Sequence, residues 1–175
     1  MKNYSRILIF LLLSFYSCNK EDNLSPEEQL PPATETGEGI FACLINGELF
    51  IDTGGGYFNC FYQYVDGGYY FSISGENFDK EMSGINLGTI NKPISAGENY
   101  DLLEESEGNA TASIFFSSLL ESENTSSSNT GNLYISKLDF EKRIVSGTFE
   151  FDIVHPETGE IIEVRKGRFD TLFTQ

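Results

Sequence analysis

The chain has 175 residues, with 27 acidic against 11 basic side chains and a formal net charge of −16. A phosphate backbone is repelled by such a surface, and so is anionic lipid, which excludes nucleic-acid binding and disfavours lying flat on a membrane. The length suits one domain with a real core, and a single histidine forbids a multi-histidine metal site.

Lys2 and Arg6 open the chain, and residues 7–15 are apolar except for Ser14. A membrane-spanning helix needs roughly 20 apolar residues, so this stretch predicts a signal peptide over residues 1–17 and not a permanent span. The following Phe15-Tyr16-Ser17-Cys18 resembles the lipobox of bacterial lipoproteins, which implies acylation at Cys18. Each buried methylene of an acyl chain contributes about 0.8 kcal/mol, and more than one chain makes attachment stable. The expected partner is therefore a membrane, reached through a lipid anchor. Next to the cysteine, Lys20, Glu21 and Asp22 are similar to the export signal that sends lipoproteins of Bacteroidota-type bacteria to the outer face of the outer membrane. The expected address is that exterior face, with the periplasmic face as the alternative.

Residues 18–39 are polar and proline-bearing, with Leu24 and Leu30 as the large apolar side chains. Such a segment buries little, so it predicts a semi-extended linker, with the domain occupying residues 40–175.

From Ile40 the apolar residues alternate between turn signals. Asn46-Gly47 is a strong two-residue hairpin signal, because both central positions of a type I′ turn need positive φ. The register that follows sets Cys43 opposite Phe50 with Phe41 on the same side, and puts Ala42, Leu44, Leu49 and Ile51 on the other. Both faces are apolar, which predicts a hairpin covered on both sides. After Gly54-Gly55-Gly56, segments 57–65 and 69–74 flank Asp66-Gly67-Gly68 and place Phe58, Cys60, Tyr62, Tyr64, Phe71 and Ile73 on one core face. Further strands are expected at 83–89, 99–103, 111–117, 132–138, 144–154 and 160–169. A short helix is expected at 116–123 and an exposed mobile loop at 121–132. About nine short strands joined mostly by hairpins predict an all-β fold, a single antiparallel sandwich or flattened barrel.

Three blocks, Leu30-Pro31-Pro32-Ala33-Thr34-Glu35-Thr36-Gly37, Phe41-Ala42-Cys43-Leu44-Ile45-Asn46-Gly47, and Ser146-Gly147-Thr148-Phe149-Glu150-Phe151 with Gly167-Arg168-Phe169-Asp170, resemble a family of uncharacterised small Bacteroidota surface lipoproteins. The resemblance implies an all-β domain of unknown function and brings no catalytic or binding residues with it.

No catalytic constellation emerges. Asp52-Thr53-Gly54 resembles the catalytic segment of aspartic proteases, but that chemistry needs two carboxylates sharing a proton, and one copy would require a homodimer. His155 sits before Pro156 in a turn-rich hairpin loop with no nucleophile beside it. Gly54-Gly55-Gly56 lacks the Lys-Ser/Thr and helix of a phosphate loop, and acid-rich residues 98–107 lack the spacing of an EF-hand. No cofactor and no metal is expected.

Tyr62, Tyr64, Tyr69 and Tyr70 cluster on one hairpin, and Tyr64 and Tyr70 are the candidate contacts for a glycan or protein partner, Tyr70 because it alternates with Tyr69 and Phe71. Strand parity leaves two states open for Cys43 and Cys60, a disulfide or two buried thiols. The expected function is a non-catalytic binding or structural module. The alternative is a hydrolase acting on an extracellular polymer through a carboxylate-based site. An exposed aromatic patch marks the first, and a cleft with convergent carboxylates the second.

Overall fold

The computed structural model describes residues 24–54 and 59–175. These form an all-β structure of eleven strands: β1 (Ile40–Ile45), β2 (Glu48–Ile51), β3 (Asn59–Val65), β4 (Gly68–Glu76), β5 (Met82–Thr89), β6 (Glu98–Leu102), β7 (Ala110–Phe116), β8 (Glu121–Asn124), β9 (Gly131–Asp139), β10 (Ile144–Val154) and β11 (Ile161–Leu172). They make one mixed, mostly antiparallel sheet in the order β2-β1-β11-β10-β9-β6-β7-β5-β4-β3, with β8 off this path, paired to β7 at Ser113–Phe116 beyond the place where β6 meets it. The sheet does not close into a barrel, so the flattened-barrel expectation is corrected. The expectation of wholly antiparallel pairing is corrected too, because β6 and β7 run parallel where Leu102 meets Ala110.

Both turn signals act as read. Asn46 and Gly47 have φ of 50° and 80°, Asp66 and Gly67 have 49° and 88°, and these values match two-residue type I′ hairpins. The first hairpin pairs Cys43 with Phe50 and Leu44 with Leu49. The second pairs Tyr62 with Phe71 and Cys60 with Ile73.

The sheet folds back on itself, so strands far apart in its order share one core. The Phe71 ring of β4 lies 6.3 Å from that of Phe169 in β11. A Cβ on Gly75 would come within 2.3 Å of the Phe41 ring, so β4 approaches β1 at a place only glycine allows. Hydrogen bonds tie the sheet's two ends without closing the ladder. Thr53 and Gly54 N–H donate to the Glu76 carbonyl after β2, and Thr174 exchanges backbone bonds with Cys60 and Tyr62 in β3.

Two segments differ from expectation. Residues 121–124 are an edge strand paired to β7, and the chain reverses at Leu120 (φ 56°) where a helix was expected. A strand whose outer face meets water needs no apolar alternation, so Glu121-Ser122-Glu123-Asn124 reads as loop yet pairs through its backbone. The segment before Ile40 is not a free tether either. Leu30 is buried with Ala42 and Leu44 and packs near Leu49 and Ile51. It covers the outer face of the first hairpin, the face that the sequence showed to be apolar without showing its cover.

Candidate functional site

The β3–β4 hairpin carries its aromatic residues past the edge of the core. Tyr62 is buried, and its hydroxyl meets the backbone of Ile94, accepting from the N–H at 3.3 Å. Burial raises its pKa, and the neighbouring Tyr69 and Tyr100 push the same way. One step toward the turn, Tyr64 pairs with Tyr69 across the strands, their ring centroids 4.8 Å apart. Tyr64 is 64% exposed, Tyr69 41% and Phe140, from the β9–β10 turn, 55%. Tyr62 lies 5.6 Å from Tyr69 and 6.0 Å from Phe140. Together with Gln63 and Gln175 these rings line a shallow concavity of about 420 Å³.

Tyr64 therefore belongs to an exposed aromatic patch and Tyr70 does not. Tyr70 pairs with Gln63, points to the opposite face and is half-buried. The expectation for Tyr70 took Tyr69 as core because it shares a face with Phe71. That face overhangs the core at the hairpin tip, and Tyr69 is exposed there.

A second concavity, of about 580 Å³, lies on the outer face of β11, β10, β9 and β6. Strand register sets Arg168, Thr148, Tyr134 and Asn99 side by side across it, with Glu150 and Asn132 in the next row. Ala33 of the docked N-terminal segment lines it as well.

That segment is held by Asp170, a buried carboxylate in β11. Its Oδ2 accepts from Thr34 Oγ1 (2.7 Å) and from the N–H groups of Thr36 (2.9 Å), Gly37 (2.9 Å) and Glu38 (3.2 Å). Its Oδ1 accepts from Ser146 Oγ at 2.7 Å. Burial alone would raise the Asp170 pKa. The hydrogen bonds from Ser146, Thr34, Thr36 and Gly37 outweigh it and hold the group down at about 2. Arg168 adds a bond to the Pro31 carbonyl at 3.0 Å, Lys166 an ion pair to Glu27 at 3.2 Å, and Lys137 a bond to the Glu35 carbonyl.

The other groups singled out in the sequence have structural work. Asp52 Oδ1 accepts the Glu76 N–H at 2.6 Å and so clamps the end of β4. His155 Nδ1 accepts from the N–H groups of Glu157 and Thr158, capping its loop, and its ring packs 5.0 Å from Phe116. In the acidic segment Glu105 and Glu107 accept from Asn124 and Asn91, and among the described residues no three His, Cys, Asp or Glu converge as metal ligands. Cys43 and Cys60 are both buried free thiols. Burial pushes the Cys60 thiol up to about 12 and moves Cys43 in the same direction. Cys18, Lys20, Glu21 and Asp22 lie outside the described residues, as do Gly55, Gly56 and Phe58.

Sequence reasoning missed Asp170, Arg168 and the outer groove. The signal was present, since the Leu30-to-Gly37, Ser146-to-Phe151 and Gly167-to-Asp170 blocks meet at Asp170. Comparison of the chain with family models, with curated proteins and with solved structures finds no match in any of the three.

Proposed function

We propose that the chain is a lipid-anchored surface module that binds a glycan or a protein partner and performs no chemistry on it. In this reading Cys18 is acylated, Lys20, Glu21 and Asp22 direct the protein to the exterior face of the outer membrane, and a sandwich-type domain stands above the lipid. The small Bacteroidota lipoproteins that its motifs resemble are the fitting relatives.

The observation that carries the reading is the exposed patch of Tyr64, Tyr69 and Phe140. Rings with a polar tip bury large apolar area against a partner while keeping a hydrogen-bonding group, and their two side-chain torsions make ordering inexpensive. Tyr64 and Tyr69 are in contact at the hairpin tip, and buried Tyr62 lies against both Tyr69 and Phe140, so the exposed rings are preorganised for that use. Two carboxylates have structural commitments that fit the same reading: Asp170 holds the N-terminal segment and Asp52 the end of β4.

Full-length protein incubated with extracellular polysaccharides and surface proteins tests it. The module reading expects saturable binding to a member of one of these sets with no release of new reducing ends or peptide termini. Steady product release would instead make the protein a hydrolase of an extracellular polymer.

A further inference from the structure

We propose that the groove across β11, β10, β9 and β6 is a carbohydrate site, taking a short oligosaccharide laid across the strands. The groove shares no residue with the aromatic patch, so the inference does not rest on it.

A β-bulge builds the first part of the site. The β10–β11 register slips between Phe149 and Phe151, with Lys166 in the left-handed region at φ 57°. Gly167 follows because a Cβ there would stand 2.5 Å from the Phe149 ring and 2.6 Å from its carbonyl oxygen. The slip lets two successive residues, Arg165 and Lys166, leave the core between buried Val164 and Gly167. With Arg168 they gather three cations on one stretch of a chain whose net charge is −16. Arg165 is ion-paired to Asp152 and Glu163, and Lys166 to Glu27. Among the described residues Arg168 bonds to the carbonyls of Lys166 and Pro31 alone, which leaves part of its donor fork uncommitted beside the groove it lines.

The second part is the registered row beside Arg168. Among the described residues, Asn99, Asn132, Tyr134 and Thr148 make no hydrogen bond through their side chains. On a flat surface such residues serve water alone. Here they stand about 4.8 Å apart from strand to strand inside a concavity that the docked N-terminal segment helps to wall. Four donors of that segment, from Thr34, Thr36, Gly37 and Glu38, latch onto Asp170 and fix that wall.

Ligand class follows from what the lining offers. Arg168 only donates, Glu150 only accepts, and the amides and hydroxyls between them do both. The complementary ligand carries many groups that each donate and accept, which is the chemistry of sugar hydroxyls. The Tyr134 ring and the Ala33 methyl suit the C–H faces of sugar rings. Dense negative charge, as on a phosphate or sulfate polymer, is opposed by Glu150 and by the net charge, while Arg168 can take a single sugar carboxylate. An added peptide strand finds no edge, because β9, β10 and β11 are all interior strands.

The test is a titration of ¹⁵N-labelled full-length protein in detergent with short linear oligosaccharides, neutral gluco-, xylo- and manno-series in some arms and a uronic-acid series in another. The expected result is saturable shifts of the Asn99 and Asn132 side-chain amides in at least one arm. Asn132→Ala and Tyr134→Ala should each weaken that binding about ten-fold without changing the unfolding midpoint. Preference for the uronic arm that disappears in Arg168→Gln assigns a carboxylate to Arg168, and equal or better binding of a neutral arm assigns hydroxyls there; either supports the site. No shift of these amides in any arm at millimolar ligand overturns the proposal. So do shifts confined to Tyr64 and Tyr69, which would leave the module reading standing.

Discussion

Asp170→Ala probes the element that joins the N-terminal segment to the domain. The carboxylate accepts hydrogen bonds from five donor groups, Thr34 and Ser146 hydroxyls and the N–H groups of Thr36, Gly37 and Glu38. Bonds to a charged group contribute about 1.5–3 kcal/mol each, and five at face value would rival the whole stability of a domain. The loss is smaller than that sum because residues 34–38 can undock and give their donors to water. A lower guide comes from the carboxyl group itself. Its pKa of about 2 against an ordinary 3.8 corresponds to roughly 2 kcal/mol of differential stabilisation. Ser146 stays buried in the variant and loses its acceptor, which adds about 1 kcal/mol. The expected destabilisation is therefore about 3 kcal/mol, read as a shift of the urea midpoint at neutral pH. Hydrogen exchange should also accelerate at Thr36, Gly37 and Glu38. A loss under about 1 kcal/mol, with unchanged protection of those three amides, would refute the latch.

The same carboxylate makes the protein acid-sensitive in a defined window. Its folded-state pKa is depressed, so its contribution is complete above about pH 4 and is lost as the pH falls toward 2. Wild type should lose about 2 kcal/mol there relative to Asp170→Asn, and parallel pH profiles would show that the bonds carry no linkage. For the cysteines, native protein should resist thiol reagents, and denatured but unreduced domain should yield both Cys43 and Cys60 to alkylation, since burial suppresses their thiolates. Alkylation that needs a reductant would mean a disulfide. Cys18→Ala should abolish acyl incorporation and release a folded domain from membranes. Alanine at Lys20, Glu21 and Asp22 should leave the lipoprotein made but hidden from external protease, and undiminished cleavage would contradict an export role.

What could be read from the sequence was what is locally encoded. Asn46-Gly47 and Asp66-Gly67 determine their turns within four residues, and strand parity then assigns Cys43, Phe50, Tyr62 and Phe71 to the core. The docking of residues 30–39 could not be read that way. Apolar counting finds only Leu30 there, while the holding bonds come from a carboxylate 134 residues away from Thr36 in sequence. β8 escaped notice because pairing on β7 uses its backbone and leaves polar side chains in water. Tyr69 was misplaced relative to Tyr70 because parity assigns a face and says nothing of where the core beneath that face ends. The groove arises from β6 lying beside β9 and from a bulge at Lys166, and neither long-range event leaves a periodic trace.

On the proposed reading the protein binds its partner through the exposed aromatic patch. The most direct test of that reading is the binding of full-length protein and of a Tyr64→Ala, Tyr69→Ala double variant to immobilised arrays of extracellular glycans and surface proteins. Two exposed ring contacts at about 1 kcal/mol each predict a loss of at least about ten-fold in affinity, with an unchanged unfolding midpoint. Equal binding by the two proteins, or binding by neither, would contradict the account.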